Sequence, residues 1–427
     1  MAIKKINQNP TQIINPFIEG TNIPDEYFCD RKSETESIIE LLKNGNNIVL
    51  KSRRRVGKSS LINHVLDQPE IKETFNTLYV DIFGTGSAED FTRTFQQAFS
   101  RKKFAKFDTI KEILKALPYK ATAEFEYNEL KQSQSYRLGF AELDSIKMSL
   151  DAIFGYLENT SKPNIVVFDE FQQIKYYPEP MAAILRSYIQ KLNNTKFIFS
   201  GSSRRMLTTM FNASNEPFYN SAESLDLERI AKEKYIDFCV FNFEKFNKSI
   251  TTDAIDFAYD LCAGSTYDMQ RVMKTVFSDL SRGKTADSND IKNAVTKILE
   301  RQDQTYREKI NVLNRKKEKN VMIAVALEGV ASGMLSQKKN KEYNLGPISS
   351  VAQSLNNLCS EDGLNLILKT GDSYIMQDKM FELWIAWKYE QLEYKFKTAD
   401  EQFETQLKNE KELSLPKMPS KLNQISH

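Results

Sequence analysis

The chain has 427 residues, 41% of them hydrophobic, with Lys+Arg 59 against Asp+Glu 57 and a net charge of +2. That length fits two or three domains with a substantial core, and the balanced charge sets no global demand for a nucleic-acid partner. His64 and His427 are the only histidines, so a histidine triad or histidine metal cluster is excluded; Cys29, Cys239, Cys262 and Cys359 show no metal-ligand spacing, so reduced thiols are expected in place of a structural zinc or a disulfide framework.

Residues 1–14 are polar and predict a loose terminus without an apolar signal region. No apolar run approaches the ~20 residues of a membrane span. A cytoplasmic chain with no membrane partner is the expectation. A helix is predicted near Glu34–Leu42.

Residues 47–61 then read Asn-Ile-Val-Leu-Lys-Ser-Arg-Arg-Arg-Val-Gly-Lys-Ser-Ser-Leu. A strand at Ile48–Leu50 enters a polar loop that ends in Gly57-Lys58-Ser59, and an amphipathic helix follows. This order is the phosphate-binding P-loop arrangement. Backbone N–H groups from Ser52, Arg53, Arg54, Arg55, Val56, Gly57, Lys58, Ser59 and Ser60 would face an anion together. Lys58 would reach the outer phosphates and the Ser59 hydroxyl would ligate Mg²⁺. Ser52 stands where the pattern asks for Gly. A chance Gly-Lys-Ser at a helix start is the bland alternative.

The run Thr77–Phe83 predicts a second strand. Residues 102–138 carry eight Lys/Arg with interspersed aromatics, and part of the run alternates as a hairpin does. An inserted arm that packs on the domain is the favoured reading, with a nucleic-acid surface as the other.

Residues 164–172 read Asn-Ile-Val-Val-Phe-Asp-Glu-Phe-Gln. Four apolar residues in a row fit a parallel strand buried on both faces. Asp169 and Glu170 follow at its C-terminal end, where open α/β sheets bind ligands. Asp169 suits the Mg²⁺ side and Glu170 an attacking water. An Asp-Glu pair after a strand also serves as an ordinary helix cap, but together with the P-loop it makes an ATP site. A further strand near Lys196–Ser203 places Ser200 where it could sense a γ-phosphate or end an ordinary strand. Strands alternating with helical runs predict an α/β layer fold.

Residues 228–313 read helical, and Leu225 and Leu227 lead into a run with Ile230, Tyr235, Phe238 and Cys239. Helices are expected at Ala254–Leu261, at Tyr267–Leu280 and in a long charged stretch Ser288–Asn311 capped by Ser288. Residues 318–390 read as a winged helix. Its helices lie near Val321–Gly329, Leu335–Tyr343 and from Pro347. Strands Leu364–Lys369 and Ser373–Met376 flank a wing turn. The third helix carries Ser349, Ser350, Gln353, Ser354, Asn356 and Asn357 and no Lys or Arg. Amides can read bases, yet phosphate contacts dominate affinity. Lys338, Lys339 and Lys341 form the one nearby basic cluster. Residues 394–427 form a charged tail.

Taken as a set, these residues resemble the archaeal ATPase family of signal-transducing, AAA+-like P-loop ATPases, relatives of the origin-recognition initiators. The resemblance covers roughly residues 15–390. It rests on Asn15-Pro16-Phe17, on Tyr27-Phe28 with Asp30-Arg31 and Glu34, on the P-loop, on the acidic strand end, and on Ser200-Gly-Ser-Ser203. It rests also on Asp378-Lys-Met-Phe381-Glu-Leu-Trp384, where Lys379 replaces the family's usual Pro. The resemblance implies a nucleotide domain over 15–227, a helical lid over 228–313 and a winged helix over 318–390. It implies that Pro24, Tyr27, Phe28 and Arg31 lie by the adenine. It places a phosphate-sensing role near Arg271, where a solvated helix-surface arginine is the alternative. Gly264-Ser-Thr266 departs from the family's Gly-x-Pro lid motif.

The expected function is an ATP-binding conformational switch that hydrolyses ATP slowly with Mg²⁺ and signals to a protein partner. Weak nucleic-acid binding and a nucleotide-dependent oligomer stay open as further properties. The alternative is a nucleotide-loaded docking scaffold without turnover. A P-loop kinase fits the adjacent Asp-Glu and the winged helix poorly.

Overall fold

The computed structural model describes residues 15–101, 122–128, 133–139, 146–313, 316–360 and 364–389. The expected loose N-terminus, most of the connecting parts of the basic arm and the charged tail lie outside these residues. The chain divides into two compact units, one spanning residues 20–228 and one formed by residues 1–19 with 229–427.

Among the described residues, the strands of the first unit are, in chain order, β1 (Ile48–Ser52), β2 (Asn76–Asp81), β3 (Thr122–Asn128), β4 (Ser133–Gly139), β5 (Asn164–Asp169), β6 (Thr195–Gly201) and β7 (Glu223–Leu227). Five of them form one sheet in the order β2-β5-β6-β1-β7, and every neighbouring pair in it is parallel. Strands β3 and β4 pair antiparallel as a separate hairpin within the arm.

The pleat sends alternate side chains to opposite faces. Val49, Val166, Phe168, Phe197 and Phe199 enter one core, with Phe91 and Phe95 of the helix Ala88–Arg101 and Leu207 and Phe211 of the helix Arg204–Asn212. Ile48, Leu50, Ile165, Val167 and Ile198 enter the other, with Ile38 and Leu42 of the helix Lys32–Lys43 and Leu61, Ile62 and Val65 of the helix Lys58–Asp67. Both faces are covered, so the central strands read as apolar runs and not as alternations.

Strand β7, formed where Leu225 and Leu227 lead into the helical segment, is one that the sequence reading did not name. Among the described residues it is an edge strand paired with β1, and of its residues only Leu227 is buried. A strand that buries so little gives no apolar run to detect.

In the second unit, Phe17 is fully buried against Phe238, Phe243 and Phe277. Asn15 Nδ2 donates to Lys274 O and Ser278 Oγ, each at 3.0 Å. Residues 15–19 therefore lie with this unit. Before the winged helix, its described helices are Lys232–Glu244, Thr252–Leu261, Thr266–Asp279, Ser288–Arg301 and Asp303–Asn311. The last two replace the single expected helix over 288–311, and the cap is Asp287, one residue before the expected Ser288. Asp287 accepts from the backbone N–H groups of Asn289 and Asp290, and Asp290 returns a bond to the Asp287 N–H. This capping box satisfies otherwise orphaned donors.

The winged helix consists of helices Lys316–Glu328, Gln337–Tyr343 and Ile348–Cys359, strands Ile367–Thr370 and Ser373–Met376, and the helix Lys379–Lys388. A short third strand that the sequence did not reveal, Ala331–Ser332, pairs with Ser373–Tyr374. Two residues are too few for a periodic signal. Gly371 takes φ +60 at the wing turn, a conformation glycine adopts without strain. Trp384 is fully buried, and its Nε1 donates to Asp303 at 2.9 Å. Among the described residues no helix is long and apolar enough to cross a membrane.

The most demanding packing lies around Phe168, whose ring meets Phe91, Phe95, Phe171, Phe197 and Phe199. Phe168→Ala is expected to cost about 3–5 kcal/mol. Chemical denaturation checks it, and a loss under about 1 kcal/mol contradicts this packing.

Candidate functional site

Strand β1 delivers the chain into the loop at the C-terminal edge of the sheet. Ser52 is fully buried and is the last residue of the strand. Its backbone is not in the left-handed region, and its Oγ donates to Arg53 O at 3.0 Å. A glycine is therefore not demanded there. The left-handed positions are Arg55, at φ +66, and Gly57, at φ +88. Gly57 is the N-cap of the helix Lys58–Asp67. Arg53 and Arg54 are exposed, Arg55 and Ser60 half-buried, and Val56 buried. The Ser60 hydroxyl donates to Gly20 O at 2.9 Å.

Sheet order brings the chemistry together. Strand β6 lies between β1 and β5, so Ser200 at its end sits between the loop lysine and Asp169. The Lys58 ammonium donates to Asp169 Oδ1 and reaches Ser200 Oγ at 3.4 Å and Glu170 Oε1 at 3.6 Å. Ser59 Oγ donates to Asp169 Oδ2 at 2.8 Å. Ser200 Oγ donates to Oδ1 of the same carboxylate. Tyr79 OH, projecting from β2, donates to Oδ2. One carboxylate thus collects an ammonium and three hydroxyls. Burial by itself raises an acid's pKa. Here the Lys58 charge and hydrogen bond, with the hydrogen bonds from Ser200 and Tyr79, override burial and hold Asp169 at about 2. Burial and the neighbouring Asp169 charge push the Tyr79 phenol up, so it stays a donor. Asp81, paired in register with Asp169, is raised by burial and by the charges of Asp169 and Glu170.

Glu170 turns the chain out of β5 at φ +57 and ψ 41. A left-handed non-glycine residue at a strand end is a conformation that clusters at functional sites. Its carboxylate accepts from Gln172 Nε2 at 2.5 Å and from Ser202 Oγ at 2.8 Å. A Cβ on Gly201 would lie 1.9 Å from Gln172 Oε1, so glycine is what allows Gln172 to reach Glu170.

The residues expected near an adenine lie in the same unit. Pro24 precedes the short 3₁₀ turn Asp25–Tyr27, and Tyr27 is buried. The Phe28 ring stacks on His64 at 3.9 Å and 6°. Arg31 is buried and turned toward Glu34 and backbone carbonyls. Arg271 belongs to the other unit, where its Nε lies 3.8 Å from Glu19 Oε2 and its guanidinium is over the Tyr267 ring. The structure thus gathers Lys58, Ser59, Asp169, Glu170 and Ser200 in one cluster. Sequence reading missed Tyr79, Gln172 and Ser202. Gln172 and Ser202 lie within the quoted runs, but nothing local gives them or Tyr79 a role; the register of β2 on β5 and the turn after β6 create the contacts.

Among the described residues no group of three or more His, Cys, Asp or Glu could hold a metal. An ion that binds one or two protein oxygens plus phosphates, as Mg²⁺ does, needs no such group. The all-oxygen pair of Ser59 Oγ and Asp169 Oδ2 fits that ion.

The Lys58–Asp169 pair makes a direct prediction. Both side chains are buried, at 7% and 6% exposure. Lys58→Ala should cost about 3 kcal/mol, at the low end for a broken buried pair because three hydroxyls still serve Asp169. Adding Asp169→Asn should recover most of that loss. Strictly additive losses in a double-mutant cycle contradict the coupling.

Comparison with known proteins agrees with this geometry. A sequence profile described as an ATPase domain predominantly from Archaea matches residues 28–272, more than half of the chain. A profile for a probable winged helix domain matches residues 304–387. None of the curated proteins compared matches the chain. Among solved structures, the Walker-type ATPase of Pyrococcus abyssi superposes with a TM-score of 0.60 at 18% identity, over 87% of this chain and 99% of that one. The ORC2 protein of Aeropyrum pernix, in ADPNP and ADP complexes, gives a TM-score of 0.54 at 13% identity, over 87% of this chain and 98% of that one. At such identities these structures share the fold. The P-loop cluster, the sheet order and the profile match converge: the chain belongs to the family of ATPase domains found predominantly in Archaea.

Proposed function

We propose that the chain is an ATP-binding switch that hydrolyses ATP slowly and passes a conformational change to a protein partner, in the manner of signal-transducing ATPases of the cytoplasm. The observation that supports this most is the single buried cluster in which Lys58, Ser59, Ser200 and Glu170 surround Asp169. Lys58 would exchange Asp169 for the outer phosphates. Ser59 and Asp169 would hold Mg²⁺, which supplies neutralisation of phosphate charge. Glu170 would take a proton from the attacking water as its oxygen joins the γ-phosphorus and ADP leaves. Ser200 would hold an oxygen of the transferring group. Pro24, Tyr27 and Phe28 would line the adenine side. Nucleotide-dependent self-association is part of the same proposal.

A second reading is a nucleotide-loaded scaffold without turnover. It is favoured by the engagement of Glu170 with Gln172 and Ser202, which withholds the base for as long as those bonds persist. Glu170→Gln separates the two readings. The switch reading expects unchanged ATP affinity and at least a hundredfold loss of phosphate release. Equal turnover in mutant and wild type would contradict the assignment of Glu170.

A nucleic-acid partner, if bound by the winged helix, would meet few cations. Lys339 is held by Glu328 at 2.5 Å and by Glu342 at 3.6 Å. Lys338 and Lys341 are exposed. Asn357 is tied to Glu318 at 2.8 Å, leaving Gln353 and Asn356 exposed on the third helix. Duplex binding should be weak, independent of sequence and steeply reduced by salt. Lys338→Glu with Lys341→Glu should abolish it, and Lys339→Glu should act through stability. Tight binding to one duplex, untouched by the double change, would assign recognition to Gln353 and Asn356.

A further inference from the structure

The P-loop is held from behind by Arg31, a residue of the entry segment that precedes it. Arg31 is 4% exposed and takes φ +69, immediately after Asp30 at φ +55. Two successive left-handed residues without a glycine persist only where the surroundings over-determine them. The guanidinium supplies that constraint. Its Nη1 donates to Glu34 Oε1 at 2.6 Å. Its Nη2 donates to Val56 O at 3.3 Å and to Glu228 O at 2.6 Å.

Val56 lies within the phosphate loop, one residue before Gly57. In a planar trans peptide the carbonyl and the following N–H point in opposite directions. A carbonyl of Val56 turned onto Arg31 therefore sends the Gly57 N–H to the other side of the loop. Glu34 aims the guanidinium and keeps its charge paired. Glu228 is the last residue of this unit, so the same group ties the loop to the place where the chain leaves the unit.

We propose that Arg31 is a positioning residue for the phosphate loop and not an adenine contact: it fixes the Val56–Gly57 peptide with its N–H ready for an anion. This rests on the P-loop reading given above. It places the action of Arg31 on the phosphates, through backbone, at a distance from the base.

Inorganic tripolyphosphate and ATP are the probes, titrated against the full chain. Arg31→Lys keeps the positive charge and can reach one carbonyl but not both. It should weaken ATP and tripolyphosphate to a similar extent, by about tenfold, as expected for a lost hydrogen bond to a charged group. Glu34→Ala, at a half-exposed site that threatens folding less, should weaken both in the same sense by several-fold. For Arg31→Ala, added guanidinium at millimolar concentration should restore tripolyphosphate affinity, which a merely structural loss would not allow. Weakened ATP with unchanged tripolyphosphate would make Arg31 an adenine contact and overturn the proposal. Unchanged affinity for both probes in Arg31→Lys and Glu34→Ala would overturn it as well. Lys58→Ala is the control for the underlying reading. If Lys58→Ala loses tripolyphosphate while the Arg31 and Glu34 variants do not, only the positioning role falls. If wild type binds neither probe, the P-loop reading falls with it.

Discussion

The buried pairing of Lys58 with Asp169 is the constraint on which the rest of the site depends. Two opposite charges taken out of water are costly, and their attraction repays the cost only with good geometry and satisfied remaining bonds. The fold meets that condition with three hydroxyls from three different elements: Ser59 from the loop helix, Ser200 from β6 and Tyr79 from β2. Such a pair contributes little to net stability compared with an apolar replacement. Its use is positional. It keeps an ammonium and several oxygens assembled at the sheet edge, where, on the proposed function, an incoming polyphosphate would take over the lysine.

The parallel sheet is what makes this arrangement possible. Two cores, one on each face, fix the strands along their whole length. All five strands then end on the same edge, and their terminal residues become neighbours by register. Asp81 aligns with Asp169, and Leu50 aligns with Ser200. The tight phenylalanine core around Phe168 lies directly before Asp169 in sequence. Rigidity of the core thus passes to the carboxylate through one peptide bond.

Much of this was legible in the sequence because the signals are local. Gly57-Lys58-Ser59 between a strand and a helix, and Asp169-Glu170 after a fully apolar strand, carry their own meaning. The family resemblance added the fold, with the winged helix, and the profile matches agree with it. What was not legible depends on pairing. Tyr79 looks like any strand aromatic until β2 is set beside β5. Strand β7 buries one residue, and Ala331–Ser332 is too short for any period. Asp287 and Ser288 are equally good caps by type, and only the reciprocal bond from Asp290 decides between them. Ser52 looked like a flaw in the motif. The structure places it in extended backbone, with the left-handed burden carried by Arg55 and Gly57.

On the proposed function, the Lys58–Asp169 cluster is the seat of the triphosphate. A crystal structure of the full chain with Mg²⁺ and a non-hydrolysable ATP analogue tests it most directly. The account predicts the Lys58 ammonium on the outer phosphates and off Asp169 Oδ1, with Ser59 and Asp169 on the metal side. A nucleotide bound elsewhere, with the Lys58–Asp169 pair still closed, would contradict it.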